Sequence, residues 1–270
     1  MRSHPIFWRP TRERVRARLR DGNPEQALAI IATVIADQPD AAWAYRLRGD
    51  ILVTLGRKLD AVAVYLDALA RAKDSGAVRE LFIRLAALDA GGDAAAPLRA
   101  WLEAHPDDLR VRGMLASALL YRGELEQAAK AAQAVLATQP DNIATLNNLA
   151  VIYSRQGKLD TALATARRAR ELAPGHPGVA DTLGWILVQS GDANTGLEVL
   201  ITAAKRLPNN PELAYHLATA YIETGKRAQA RKVAASVPLS TVRFPGYQEA
   251  RRLWRELGQP WPTGEDKGDD

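Results

Sequence analysis

The sequence predicts an all-α fold, an α-solenoid of helix-turn-helix units that follow one another along the chain. Ala, Leu and Arg dominate its 270 residues and only 6% are aromatic, a composition that favours helices. Glycine recurs every 34 residues, at Gly123, Gly157, Gly191 and Gly225. Proline keeps the same period, at Pro140, Pro174 and Pro208. A constant period of this length indicates repeats that bury their apolar faces against their neighbours.

The same period fixes small and apolar positions along the chain. Small residues recur at Ala128, Ala162, Gly196 and Ala230, and leucines at Leu115, Leu149, Leu183 and Leu217. Towards the N terminus the frame continues through Gly22, Ala27, Pro39, Gly49, Gly56, Ala61, Tyr65 and Ala68. A degenerate unit follows and keeps Leu81, Leu85, Ala94 and Pro106. We therefore expect the array to fill nearly the whole chain.

These positions carry a resemblance to a known family. A 34-residue unit with a small residue at position 8, glycine near 15, alanine at 20 and proline at 32 resembles the tetratricopeptide repeat (TPR). The resemblance implies a right-handed solenoid of seven repeats, at 8–41, 42–74, 75–108, 109–142, 143–176, 177–210 and 211–244. It also implies a capping helix over 245–258. We assign 1–7 to an N-terminal extension and 259–270 to a disordered acidic tail.

Each repeat is expected to hold two helices separated by a turn at its internal glycine. Asn before proline predicts a helix start, as at Asn23–Pro24 and Asn210–Pro211. In repeat 177–210 one apolar stripe is predicted at Leu183, Ile186 and Leu187, and a facing one at Leu197, Leu200 and Ile201. Gly184 interrupts the first helix at a cost of about 1 kcal/mol. We expect Gly184 and Ala203 to let the two helices approach closely.

Positive charge is concentrated at one end of the chain. The net charge is +5, but residues 1–20 hold seven Arg and one Glu, and residues 264–270 carry a net −3. The stretch between them is close to neutral. The basic end is interpreted either as a solvated terminal helix or as a contact for nucleic acid or an anionic membrane.

The motifs of catalysis and of metal or cofactor binding are absent from the sequence. There is no cysteine, and no dinucleotide fingerprint, P-loop, zincin helix or nucleophile elbow is present. The four histidines do not share a helix face. We therefore expect a protein that is not an enzyme and holds no metal and no cofactor. Without an apolar run of about 18 residues or a secretory signal, a cytoplasmic location is expected, or a periplasmic one if the chain is a fragment of an exported protein.

The resemblance also implies a site. In this family, positions 2, 5, 6, 9, 12 and 13 of each repeat point into the concave groove. The partner-binding residues assigned by this rule are Asn147, Asn148, Arg155, Asp181, Trp185, Gln189, Tyr215, His216 and Thr219. Asparagine amides can hold an extended peptide backbone, and aromatic side chains can anchor it. Trp185 has a second interpretation, as core between repeats.

Three functions are carried forward from the sequence. The first is a scaffold that binds a peptide or protein in its groove; the lysine, asparagine and arginine set that grips chaperone tails in some family members is missing. Second, residues 147–232 are similar to repeats of proteins in exosortase-linked (PEP-CTERM) exopolysaccharide systems, which implies an assembly or secretion factor of a bacterial envelope. The third is an adaptor that binds nucleic acid or anionic membranes through the Arg-rich N terminus. Self-association through an uncovered solenoid end is a further hypothesis.

Overall fold

The structure, a computed structural model, describes residues 9–71, 81, 84, 95–236, 244 and 246–259. These residues form fourteen α-helices and no strand. The chain divides into two compact bodies, Met1–Ala118 and Leu119–Asp270. The predicted extension at 1–7, most of the predicted tail at 259–270 and much of repeat 75–108 lie outside the described residues. Within the described part, no helix is both long and apolar enough to cross a membrane.

The N-terminal body holds helical hairpins that pack side by side. Its helices are α1 (Arg9–Arg20), α2 (Pro24–Asp37), α3 (Ala42–Thr54), α4 (Lys58–Arg71) and α5 (Ala95–Ala104); α6 (Leu109–Arg122) contains the division point. Helix α1 packs on α2 and α3 on α4, and α2 also contacts α3. The ring of Tyr65 lies against Gly49, where an added Cβ would come within 2.1 Å of Tyr65 Cε1. Glycine is therefore required at that helix crossing.

The C-terminal body repeats the same arrangement and closes with one further helix. Its helices are α7 (Leu125–Thr138), α8 (Ile143–Arg155), α9 (Leu159–Leu172), α10 (Pro177–Gln189), α11 (Ala193–Ala204), α12 (Pro211–Glu223), α13 (Arg227–Ser236) and α14 (Tyr247–Glu256). Hairpins form from α8 with α9, α10 with α11 and α12 with α13. Helix α10 also contacts α8 and α12, so the first helices of three successive hairpins lie next to one another.

The periodic glycines are turn residues between the two helices of a hairpin. Gly157, Gly191 and Gly225 have φ values of +75°, +91° and +74°. This left-handed conformation closes the end of the first helix and costs other residues more than glycine. After Gly157, for example, the Lys158 amide donates to the Tyr153 carbonyl at 2.9 Å. The 34-residue glycine period is thus the spacing of these turns.

Side-chain caps start the first helix of each hairpin in the C-terminal body. The Asn142 side chain accepts from the Thr145 amide and the Asn210 side chain from the Leu213 amide. At the same place before α10, His176 accepts through Nδ1 from the Val179 amide. Each cap satisfies an amide that has no partner inside its helix.

Gly184 is required by the close approach of α10 and α11. A Cβ at this position would lie 2.7 Å from Leu200 Cγ and 3.1 Å from the Gly196 carbonyl oxygen. The reverse holds for Gly196, where a Cβ would lie 2.7 Å from the Gly184 carbonyl oxygen. Ala203 is buried in the cluster that also holds Ala180 of α10, and the small residue that faces Gly184 is Gly196. The two helices meet backbone to backbone at a glycine pair.

The two stripes predicted to face each other in repeat 177–210 pack largely on neighbouring hairpins. Leu183, Ile186 and Leu187 join the buried alanines of α8 and α9. Leu197 and Leu200 join Leu213 and Leu217 of the next hairpin. Leu200 also lies against Gly184, and Leu197 and Leu200 share their cluster with Ala180 and Val188 of α10, so the second stripe packs on both α10 and the next hairpin.

The last helix covers the end of the array. Ala250, Trp254 and Leu257 are buried against small residues of α12 and α13, which are Ala214, Ala218, Ala230 and Ala234. Trp254 is only 2% exposed. Helix α14 therefore shields apolar surface that the final hairpin would otherwise leave open.

Candidate binding groove

The first helices of three hairpins in the C-terminal body line a cavity of about 720 Å³. Helices α8, α10 and α12 form its wall, and Gly246 and Glu249 at the start of α14 form one end. Eight of the nine residues predicted for the groove line it: Asn147, Asn148, Arg155, Asp181, Trp185, Gln189, Tyr215 and His216. The ninth, Thr219, is outside the lining, and its hydroxyl donates to the Tyr215 carbonyl at 2.9 Å.

Three aromatic rings meet on the wall of this cavity. Trp185 stacks on His216 with a centroid distance of 4.4 Å and an interplanar angle of 13°. Tyr215 lies 5.5 Å from Trp185 and is tilted by 51°. Trp185 is half-buried and also packs against the apolar core between α10 and α12. It therefore combines the two interpretations left open by the sequence, since it packs between repeats and lines the cavity.

A buried hydrogen bond joins one of these rings, on α12, to α10. His216 Nδ1 donates to Asp181 Oδ1 at 2.8 Å, and the two side chains are 8% and 16% exposed. Because one nitrogen of the imidazole is fixed in this way, the ring is held in the plane that stacks on Trp185. The pair gives the cavity a rigid floor.

Glu212 is a lining residue that the sequence reasoning missed. Burial raises the pKa of its carboxyl above the ordinary value, while the imidazole of His216 lowers it in part and the carboxylate of Asp181 raises it. Glu212 occupies position 2 of repeat 211–244, one of the groove positions that the resemblance implies. Including position 2 of this repeat, beside the positions of Tyr215, His216 and Thr219, would have found it. Glu249 on α14 could not be found in this way, because the cap lies outside the repeats.

Glu212→Gln should raise the melting temperature at pH 7, and the gain should shrink as the pH falls to about 4. A carboxyl whose pKa is raised on folding stabilises the fold below its unfolded pKa, and that contribution is lost as the pH rises through the folded pKa. The neutral amide removes the cost of burying a charge at pH 7. Thermal unfolding followed by circular dichroism measures the melting temperature at pH 7 and at about pH 4. Glu198→Gln, exposed on α11, should change neither; a gain for Glu212→Gln at pH 4 equal to that at pH 7 would contradict this assignment.

The polar side chains of α8 complete the lining. Ser154 Oγ donates to Gln189 Oε1 at 2.5 Å, which ties α8 to α10. The Arg155 guanidinium donates to the Leu120 carbonyl at 2.8 Å. Asn147 Oδ1 is buried and has no hydrogen-bond partner among the described residues. A buried acceptor without a donor costs stability.

Comparisons with known proteins agree with this architecture. Family models described as tetratricopeptide repeat match residues 12–77, 114–177 and 187–253. A tetratricopeptide repeat protein from Parabacteroides merdae superposes with a TM-score of 0.74 at 11% identity, covering 93% of this chain and 99% of that one. A TPR protein of Thermus thermophilus gives a TM-score of 0.51 at 20% identity, covering 80% and 98%. No curated protein matches the sequence. At these identities the structural likeness shows the fold alone.

Proposed function

This chain belongs to the tetratricopeptide repeat family, and we propose that it is a non-enzymatic scaffold that binds a peptide segment of a partner protein in the cavity of its C-terminal body. One observation carries the proposal: helices α8, α10 and α12 place predicted amide and aromatic residues around one cavity of about 720 Å³. A concave site with apolar rings and a few convergent polar groups is the usual form of a binding pocket.

The lining residues offer two kinds of contact to a ligand, ring surfaces and amide hydrogen bonds. Trp185 and Tyr215 offer ring surface to an apolar or planar group, the residue types that dominate binding energy in interfaces. The amides of Asn147 and Asn148 can pair with the backbone of an extended peptide, since an amide side chain both donates and accepts. Because Asp181 and His216 are held by each other and by packing, the wall loses little freedom on binding.

Replacing Asn148, Trp185 and Tyr215 together by alanine should weaken capture of a groove ligand by at least about 100-fold, because single hot-spot residues contribute about 2 kcal/mol or more. Peptides selected by the intact chain from a random 12-residue library serve as ligands, and fluorescence anisotropy gives the affinities. A control variant carries Asn194→Ala and Glu198→Gln on the exposed face of α11 and should bind normally. Circular dichroism verifies the helices, and Trp185→Ala alone serves if the triple variant does not fold. Full binding by a folded triple variant would overturn the groove assignment.

The two other hypotheses from the sequence stay predictions. An envelope role would place the gene beside glycosyltransferase and export genes. An adaptor role would require salt-sensitive binding of DNA or anionic vesicles that is lost when residues 1–20 are removed. In the N-terminal body, Arg12 lies 4.4 Å above the Trp43 ring, and burial, with Arg46 and Arg16 nearby, lowers its pKa. Part of the basic end is thus packed on the body itself.

A further inference from the structure

We propose that the cavity recognises an arginine side chain of the bound peptide; this inference rests on the proposed function and names the chemistry of its ligand. The cavity lining contains three carboxylates, on Asp181, Glu212 and Glu249, and one guanidinium, on Arg155. That guanidinium donates to the Leu120 carbonyl and keeps its charge, and the carboxylates outnumber it by two. The cavity is therefore an acidic site on a chain whose net charge is +5. The positive charge is concentrated in residues 1–20, so the acidic lining supplies the local attraction for a cationic group.

Two of the three carboxylates, those of Asp181 and Glu212, lack a full counter-charge. Asp181 is paired with His216, whereas no described side chain forms an ion pair or hydrogen bond with the carboxylate of Glu212. Glu212 is partly buried, and burial raises the pKa of its carboxyl; the imidazole of His216 lowers that pKa, and the carboxylate of Asp181 is close enough to raise it. Asp181 and Glu212 share a single imidazole, and a cation bound in the cavity next to them would stabilise both carboxylates. The charge pattern thus selects a cationic group.

The aromatic rings favour a flat cation. His216 covers one face of Trp185 at 4.4 Å, which leaves the rest of that ring to the cavity it lines. Tyr215 stands at an angle of 51° to Trp185, 5.5 Å away, and completes a corner. A guanidinium stacks on an indole face while its edge donates to carboxylates, a combination that an ammonium does not match. The corner, Asp181 and Glu212 lie on the same helices, α10 and α12, while Glu249 lies on α14.

Asn147 supplies an argument that does not depend on charge. Asn147 belongs to the cavity lining, and its Oδ1 is buried and lacks a partner among the described residues. Amide and carboxylate oxygens both accept hydrogen bonds. A guanidinium has five N–H donors and no acceptor, so every hydrogen bond it makes here is with an acceptor. The lining is complementary to arginine in charge, shape and donor count.

The test uses the full chain and the random 12-residue library. We expect the selected peptides to share an arginine, and synthetic copies with citrulline, its neutral isostere, at that position to bind at least about 10-fold more weakly. Glu212→Gln should weaken the affinity for the arginine peptide about 10-fold and leave the affinity for the citrulline peptide unchanged. Glu198→Gln removes one negative charge outside the cavity and should leave both affinities unchanged.

The outcomes separate this inference from the proposed function. Groove binding stands if peptides are selected and their binding is lost with Trp185→Ala. The arginine assignment is nevertheless overturned if those peptides share no arginine, carry lysine instead, or bind equally well with citrulline. Equal losses with Glu212→Gln and Glu198→Gln also overturn it, because the attraction would then be general. If no peptide is selected, or if the folded Asn148, Trp185 and Tyr215 triple-alanine variant binds fully, the proposed function fails and the inference with it.

Discussion

Trp254→Ala should destabilise the C-terminal end of the array by about 3–5 kcal/mol, the cost of removing a large buried aromatic side chain. Trp254 is 2% exposed and is the largest side chain in the cluster that holds α14 on α12 and α13. Its fully buried partners are mostly alanines, which cannot fill the space, and larger side chains such as Tyr221 and Leu253 pack only at the margin of the cluster as partly buried residues. In an array whose repeats contact only their neighbours, the loss should remain local. Hydrogen exchange should accelerate in α13 and α14 and remain unchanged in α8 and α9.

Trp254→Phe is the matched control for this substitution. It keeps an aromatic ring in the cluster and removes an indole Nε1 that is buried without a hydrogen-bond partner among the described residues. Losing an unsatisfied donor offsets part of the lost packing, so we expect a change of less than about 1.5 kcal/mol. Urea unfolding and hydrogen exchange together measure the two variants. Equal destabilisation by alanine and phenylalanine would show that α14 is not held by the packing of this ring.

Trp254→Ala also tests the hypothesis that the chain self-associates through an uncovered end of the solenoid. Once α14 is released, the alanine face of α12 and α13 becomes an exposed apolar surface at the end of the array. Such surfaces drive association. Light scattering should detect a larger species for Trp254→Ala at concentrations where Trp254→Phe remains unchanged.

The fold was accessible from the sequence because turns repeat. A left-handed residue is needed wherever a helix reverses into its partner, and glycine meets that need at Gly157, Gly191 and Gly225. The regular spacing of these glycines predicts the helical array from the sequence alone. The period does not report which residues touch across a helix crossing, and the contact between Gly184 and Gly196 therefore could not be predicted from it. That contact depends on helix rotation, which is set by packing on three neighbours at once.

The candidate site was predictable to the extent that it follows the repeat. Trp185 and Tyr215 share a cavity because their positions recur on adjacent first helices. The stacking of Trp185 on His216 and the missing partner of Asn147 Oδ1 depend on side-chain rotamers, which no spacing rule gives. Glu249 enters the cavity from α14, outside the repeating frame. The charge of the site, and hence its proposed ligand, needed the structure.

Gly196→Ala should destabilise the C-terminal body by about 1–3 kcal/mol, although alanine is the better helix former by about 1 kcal/mol. The new Cβ would lie 2.7 Å from the Gly184 carbonyl oxygen and 2.7 Å from Val188 Cγ2. A backbone carbonyl cannot rotate away as a side chain can, so α10 and α11 must separate. Urea unfolding measures the loss. Gly178→Ala, in the first turn of α10 with its nearest contact at 3.3 Å, should cost less than about 0.5 kcal/mol.

The double variant distinguishes a shared crossing from two separate clashes. Gly184→Ala meets Leu200 Cγ at 2.7 Å and the Gly196 carbonyl at 3.1 Å, so each substitution pushes the same two helices apart. Once the first has separated them, the second finds space already made. The combined loss should therefore be smaller than the sum of the single losses by at least about 0.5 kcal/mol. Additive losses would mean that each alanine is accommodated by its own side-chain neighbours, Leu200 or Val188, and that the two glycine backbones do not set the spacing of α10 and α11.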